Sequence, residues 1–263
     1  MIFLKTWREL RWMTLAYLVI LEAMLVPAIL LWPNLRGEIP AIGRILPFDF
    51  IQRLVAGVSN QDESAAYLSY IAIQAFFKGV NVMGIASAVL FGTGLIARER
   101  ECLTLEFLLA RPISRSRVLF AKFTVAAIAL VVPIFLVSWS AIAWSQLIDE
   151  QLPFWELTLA SVHSSAFVLA FLAFTLICSV LAHNQVQAAF VVGVAVVIQV
   201  TLYFIQDIRV ASVFRISDFD IYGPIMAGNL PAAKLFTDWT VWVCLSTVAF
   251  YLIADRLFRR ANL

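Results

Sequence analysis

Six predominantly apolar runs, each long enough to cross a bilayer, fix what this chain can fold into. They cover residues 12–32, 76–96, 119–147, 157–181, 186–206 and 237–254. A hydrocarbon core of about 30 Å takes roughly 20 helical residues to span. Inside lipid every backbone donor and acceptor must be satisfied within the protein, and a helix does this within one segment. With 62% hydrophobic and 14% charged residues, too little polar chain remains between the runs for a water-soluble domain. The expected fold class is an all-α integral membrane protein, one domain over residues 1–263. The third run exceeds a straight crossing, so it is expected to tilt, to bend at Pro133, or to emerge from the bilayer.

The distribution of Lys and Arg orients the spans. Lys5, Arg8 and Arg11 precede the first run, six more lie between the second and third, and Arg256, Arg259 and Arg260 follow the sixth. The alternate loops carry Arg36, Arg44, Arg53, Arg209, Arg215 and Lys234 although they are longer. This bias predicts a multi-pass protein of the cell membrane with both termini cytoplasmic. Each basic cluster abuts a span, which speaks against nucleic acid as a partner and for the lipid bilayer. The first run is too long for the core of a cleaved leader, and no small-x-small site follows it. Residues 2–11 place Phe3, Trp7 and Leu10 at helical spacing, with Lys5, Arg8 and Arg11 elsewhere on the turn. They read either as an N-terminal interfacial helix or as a continuous extension of the first span. Three cysteines, Cys102, Cys178 and Cys244, fall on different sides or within spans, so neither a disulfide framework nor a metal ligand set is expected.

The segment from Ala97 to Lys122 concentrates charge: Arg98, Arg100, Arg111, Arg115, Arg117 and Lys122 all lie in it. Good helix formers run from Ala97 to Ala110, and Pro112 ends the pattern. Cys102, Leu105, Leu108 and Leu109 cluster on one face, suited to burial. Arg100, Thr104, Phe107 and Arg111 form a second stripe. By periodicity alone this is an amphipathic loop helix, and periodicity names no partner.

The order Glu99, Glu101, Thr104, Leu105, Glu106, Leu108, Leu109, Pro112, Ser114, Arg115 and Lys122 resembles the segment after the second span in ABC-2-type permeases, the membrane subunits of ABC exporters. The closing LFRRANL is similar to their basic end. One position departs: Leu103 stands where the family carries Gly. The resemblance implies a six-span permease with a cytosolic coupling helix between helices 2 and 3, seated in a groove of a separate ABC ATPase subunit. It implies that Arg100, Thr104, Phe107 and Arg111 face the ATPase. Glu99, Glu101 and Glu106 would then brace the helix against Lys5, Arg8 and Arg11. Reversing charge at Arg100 and Arg111 is expected to uncouple ATP hydrolysis from activity. The chain has no GxxxxGK[ST] loop, so ATP and Mg are expected in the partner and no cofactor in this chain.

Within the spans, Glu22 sits mid-helix, where an ionised carboxylate costs about 2.5–3.5 kcal/mol on insertion scales. Lys78 and Asn81 are its nearest candidates along the sequence. The group reads either as a polar patch on a translocation path or as a tether between the first two helices. Lys78 by itself suits snorkelling. Gly84, Ala88 and Gly92 form a small-residue stripe for close helix packing, within the subunit or at a dimer seam, the first being the commoner use. Gln199 fits a bond across helices. His163 among Ser161, Ser164 and Ser165 reads as a polar helix end, because neither a GxSxG elbow nor an HExxH helix is present. Residues 43–55, GRILPFDFIQRLV, fit a short amphipathic helix, and the resemblance, not a residue pattern, implies short re-entrant helices in the loop before the sixth span.

The leading expectation is an exporter permease working as a dimer with a second copy or a paralogue, transmitting force rather than performing chemistry. The alternatives are a mechanotransmission subunit with an outer-face accessory protein, a lipid enzyme using Glu22, Lys78 and His163, or a carrier using Glu22.

Overall fold

The computed structural model describes residues 2–38, 63–109 and 113–260. The expected amphipathic helix at 43–55 lies outside the described residues, as do Arg111 and Pro112. Among the described residues there is no strand, and six helices are long and apolar enough to cross a membrane. They are α1 (Ile2–Leu35), α2 (Ser64–Glu101), α4 (Arg115–Gln146), α5 (Phe154–Leu181), α6 (Gln185–Phe204) and α8 (Ala232–Arg260). Two short helices, α3 (Thr104–Leu109) and α7 (Phe219–Met226), lie between them. The protein is an all-α, multi-pass membrane protein.

No separate interfacial helix precedes the first span. Residues 2–11 are the first turns of α1, which runs unbroken for 34 residues. The reason is a single buried stripe of Ile2, Thr6, Leu10, Tyr17, Leu21, Leu25, Ile29 and Trp32, with no proline before Pro27. The opposite face exposes Leu15, Val19, Ile20, Leu30 and Leu31, as a lipid-facing side should. At about 1.5 Å per residue α1 is roughly 50 Å long, well beyond the hydrocarbon core.

Helix α2 begins a dozen residues before the expected span. Its first turns are held by Trp32, whose ring lies 5.4 Å from Tyr67 and 4.8 Å from Tyr70. Tyr67 also pairs with Ser145 of α4 at 2.6 Å. Residues Ala72–Met83 are wound as a π-helix. The wide turn swings the Gln74 carbonyl over Gly79, where a Cβ would sit only 2.9 Å from that oxygen. A side chain there would force that turn to shift.

Helix α4 continues through Pro133, so the long third run is one helix of 32 residues that does not end at the proline. Helix α5 is central and packs on α2, α4, α6 and α8. Helices α6 and α8 show the most surface, in keeping with contact to lipid or to a second subunit. The start of α1 and α4 and the end of α2, α5 and α8 gather Lys5, Glu99, Lys122, Arg115 and Arg259, and this is called the basic end. The opposite end holds α7.

Candidate functional site

At the basic end, α2 stops at Glu101 and the chain reverses through Cys102 and Leu103 before α3 begins at Thr104. Leu103 has φ of 56°, the left-handed region that suits glycine, at a cost of about 1–2 kcal/mol for a residue with a Cβ. The expected single helix over 97–110 is thus two helices. The break keeps Leu105 and Leu108 buried but leaves Cys102 exposed. Leu108 packs with Ile2, Val118 and Ala121, which docks α3 on the first turns of α1 and α4. Phe107, 78% exposed, and Leu103 point away from the bundle.

Glu99 is the junction of this end. Its Oε1 accepts from Lys122 Nζ at 2.7 Å and from Lys5 Nζ at 2.9 Å. Its Oε2 accepts from the Thr104 hydroxyl at 2.9 Å. One buried carboxylate therefore ties α1, α2, α3 and α4 together. Lys122 is 1% exposed, and burying its ammonium is tolerable only because Glu99 neutralises it. Thr104 also donates to the Glu99 carbonyl at 3.2 Å, satisfying an acceptor left open where α2 ends.

Arg100 is occupied within the chain. It donates to the carbonyls of Ala182, at 2.5 Å, and Val180, at 3.1 Å, at the end of α5. A guanidinium there supplies donors to orphan carbonyls and complements the negative end of the helix dipole. Arg115 does the same for α8, donating to Phe258 and Arg259 carbonyls. Glu101 accepts from the Gln185 backbone at the start of α6, while Glu106 is exposed. The Ser179 hydroxyl accepts from Ile96 and Ala97 amides and donates to the Thr93 carbonyl, locking α5 to α2.

Of the stripe Arg100, Thr104, Phe107 and Arg111, then, Arg100 is bonded to the end of α5, Thr104 is exposed but ties its hydroxyl to Glu99, and Phe107 points outward; Arg111 lies outside the described residues. Of the acidic trio, Glu99 meets Lys5. Its stronger partner is Lys122, which the sequence offered only as a motif residue. The signal was present: a lone ammonium inside an apolar run needs a carboxylate nearby.

The intramembrane polar residues are distributed differently from expectation. Glu22 accepts from Ser140 of α4 at 2.6 Å and not from Lys78 or Asn81 of α2. Sequence proximity to the second run misled, because α1 packs chiefly on α4. Lys78 is exposed. Asn81 is buried and donates to the Tyr222 hydroxyl at 3.0 Å. Tyr222 in turn pairs with Ser164 at 2.7 Å and stacks on Phe76. His163 is held between Thr240 and the Ile216 carbonyl. Glu22, Lys78 and His163 thus belong to separate environments with no shared reactive centre. Gly84 and Gly92 face α5: an added Cβ would sit 2.6 Å from Val168 and 2.7 Å from Thr175. Among the described residues no cluster of His, Cys, Asp and Glu is arranged to hold a metal.

No curated protein matches the chain. The family model described as ABC-2 family transporter protein matches residues 48–263, most of its length. That match agrees with the six long apolar helices among the described residues. The chain belongs to the ABC-2 transporter family and is a membrane permease subunit of an ABC transporter, a transport component and not itself an enzyme.

Proposed function

We propose that this chain, acting as one permease domain, is the transmembrane half of an ATP-driven exporter and that α3 receives the stroke of a separate ATPase. The observation that carries the reading is Phe107. A large aromatic 78% exposed on a helix anchored by Leu105 and Leu108 is a docking knob on a firm base. Force applied there passes through Thr104 and Glu99 to Lys5 of α1 and Lys122 of α4. In this reading the basic end faces the cytosol of the cell membrane, and two permease chains, identical or paralogous, work with two ATPase subunits. ATP and Mg are held by those subunits.

The test is co-purification in mild detergent with mass spectrometry of the retained chains. Wild type is expected to hold an ATPase carrying a phosphate loop. Phe107→Glu is expected to lose it while melting at the wild-type temperature. Retention of the same ATPase by Phe107→Glu, or its absence from wild type within an otherwise intact complex, overturns the proposal. Arg100→Glu is the wrong probe, since it removes bonds to Ala182 and Val180 within the chain.

A further inference from the structure

Between α1 and α2, beside the Glu99 junction, lies a cavity of about 340 Å³ whose lining changes character along the helix axes. Toward the basic end it is lined by Lys5, Arg98, Lys122 and Gln185; deeper in, by Met13, Leu90 and Phe91. Leu90 and Arg98 are eight residues apart on one helix, so the change from apolar to cationic takes about 12 Å. The lining holds three cations, Lys5, Arg98 and Lys122, against two carboxylates, Glu9 and Glu99. Both Glu99 oxygens are already engaged, and Glu9 lies 3.7 Å from Lys5. One positive charge is in excess.

A second observation points to a ligand. Thr6 lines the same cavity, is 1% exposed, and its hydroxyl has no hydrogen-bond partner. A buried hydroxyl left so costs about 1–3 kcal/mol unless something fills the role. An excess cation, an unsatisfied donor and a neighbouring amide suit a group that only accepts hydrogen bonds and carries negative charge. The apolar half suits a hydrocarbon chain lying along α2.

We propose that this cavity binds one anionic phospholipid, its phosphate among Lys5, Thr6 and Arg98 and an acyl chain along Met13, Leu90 and Phe91. The orientation agrees with the bilayer, since headgroups and basic side chains meet at the same interface. The lipid shares Lys5 with Glu99, so its presence braces α1 against α2 at the root of α3. The inference does not depend on the identity of the ATPase.

The experiment uses the full chain, delipidated in detergent, with palmitoyl-oleoyl phosphatidylglycerol, the matching phosphatidylcholine, or inorganic phosphate added. Native mass spectrometry counts retained lipid. One phosphatidylglycerol per chain is expected, with little phosphatidylcholine. Arg98→Gln, at an exposed position, is expected to weaken retention about tenfold, the value of one charge-assisted contact. Gly94→Leu is expected to abolish it: an added Cβ at Gly94 meets only the Gln185 amide at 3.8 Å, so the side chain has room to enter the cavity. Both variants should melt like wild type. Should either misfold, the unaltered protein still decides, because Cys102 lines the cavity and is exposed. Phosphatidylglycerol, but not phosphatidylcholine, should slow its reaction with a water-soluble maleimide. Equal retention of both lipids, insensitive to both substitutions, would mean annular lipid and sink the proposal. Displacement of phosphatidylglycerol by millimolar phosphate, with Gly94→Leu still binding phosphate, would also overturn it in favour of a soluble anion.

Discussion

The two short helices between spans, α3 at the basic end and α7 at the opposite end, are built from similar material and used in opposite ways. Helix α3 buries Leu105 and Leu108 and turns Phe107 outward; α7 buries Ile221, Tyr222, Ile225 and Met226. Their fastenings differ too. The root of α3 is held by two ammoniums on the buried Glu99; α7 starts on the buried Asp218, which pairs with Arg209, and is held at its middle by neutral bonds from Tyr222 to Asn81 and Ser164. Each buried carboxylate, Glu99 at one end and Asp218 at the other, has its cation, whereas the bonds of Tyr222 leave no charge to neutralise.

The comparison breaks most sharply at Glu99. Glu99→Gln leaves Lys122 buried without its counter-charge and is expected to cost about 3–5 kcal/mol. A thermal melt in detergent measures the loss. The double variant Glu99→Gln with Lys122→Met should recover much of it, and failure to recover would mean that Glu99 does not act through Lys122. At the other end, Tyr222→Phe strands Asn81 and Ser164 and is expected to cost about 1–3 kcal/mol, a smaller effect because no charge is exposed. A loss equal to that of Glu99→Gln would erase the distinction between the ionic fastening at Glu99 and the neutral one at Tyr222. Leu103→Gly should stabilise by about 1 kcal/mol, since the left-handed turn then carries no Cβ penalty. A lower melting temperature would show that the Leu103 side chain packs usefully at that turn. Phe107→Ala should change stability by less than about 0.5 kcal/mol, because the ring is exposed in the isolated chain. Its effect belongs to ATPase capture alone, read by co-purification.

Much of this was legible without coordinates. Each of the six apolar runs overlaps one of the six long apolar helices, because hydrocarbon length and backbone satisfaction leave few other solutions. The second span was placed correctly but read too short. Its first turns are held by Trp32, Tyr67 and Tyr70, aromatic residues whose mutual contacts depend on how α1 and α2 come together. The break at Leu103 was hidden because the residues around it are good helix formers. Only the docking of Leu108 onto Ile2 and Val118 makes a left-handed leucine worth its cost. The departure from the family's glycine at that position was nevertheless visible, and it falls on the turn itself.

The pairing of polar groups was the least legible part. Glu22 meets Ser140, Asn81 meets Tyr222, and Arg100 meets the end of α5, each across more than eighty residues or close to it. Such partners share no local pattern, since a helix fixes which residues share a face but not which helix that face meets. By itself the sequence determined the class of the fold, the number of spans, the segment that stands out from them, and the family through its motif. The tertiary structure alone decided which side chains of that segment are spent within the chain and which remain to meet a partner. The reason is physical: hydropathy and helical period act along the chain, whereas a buried charge is neutralised by whatever carboxylate packing brings within about 3 Å.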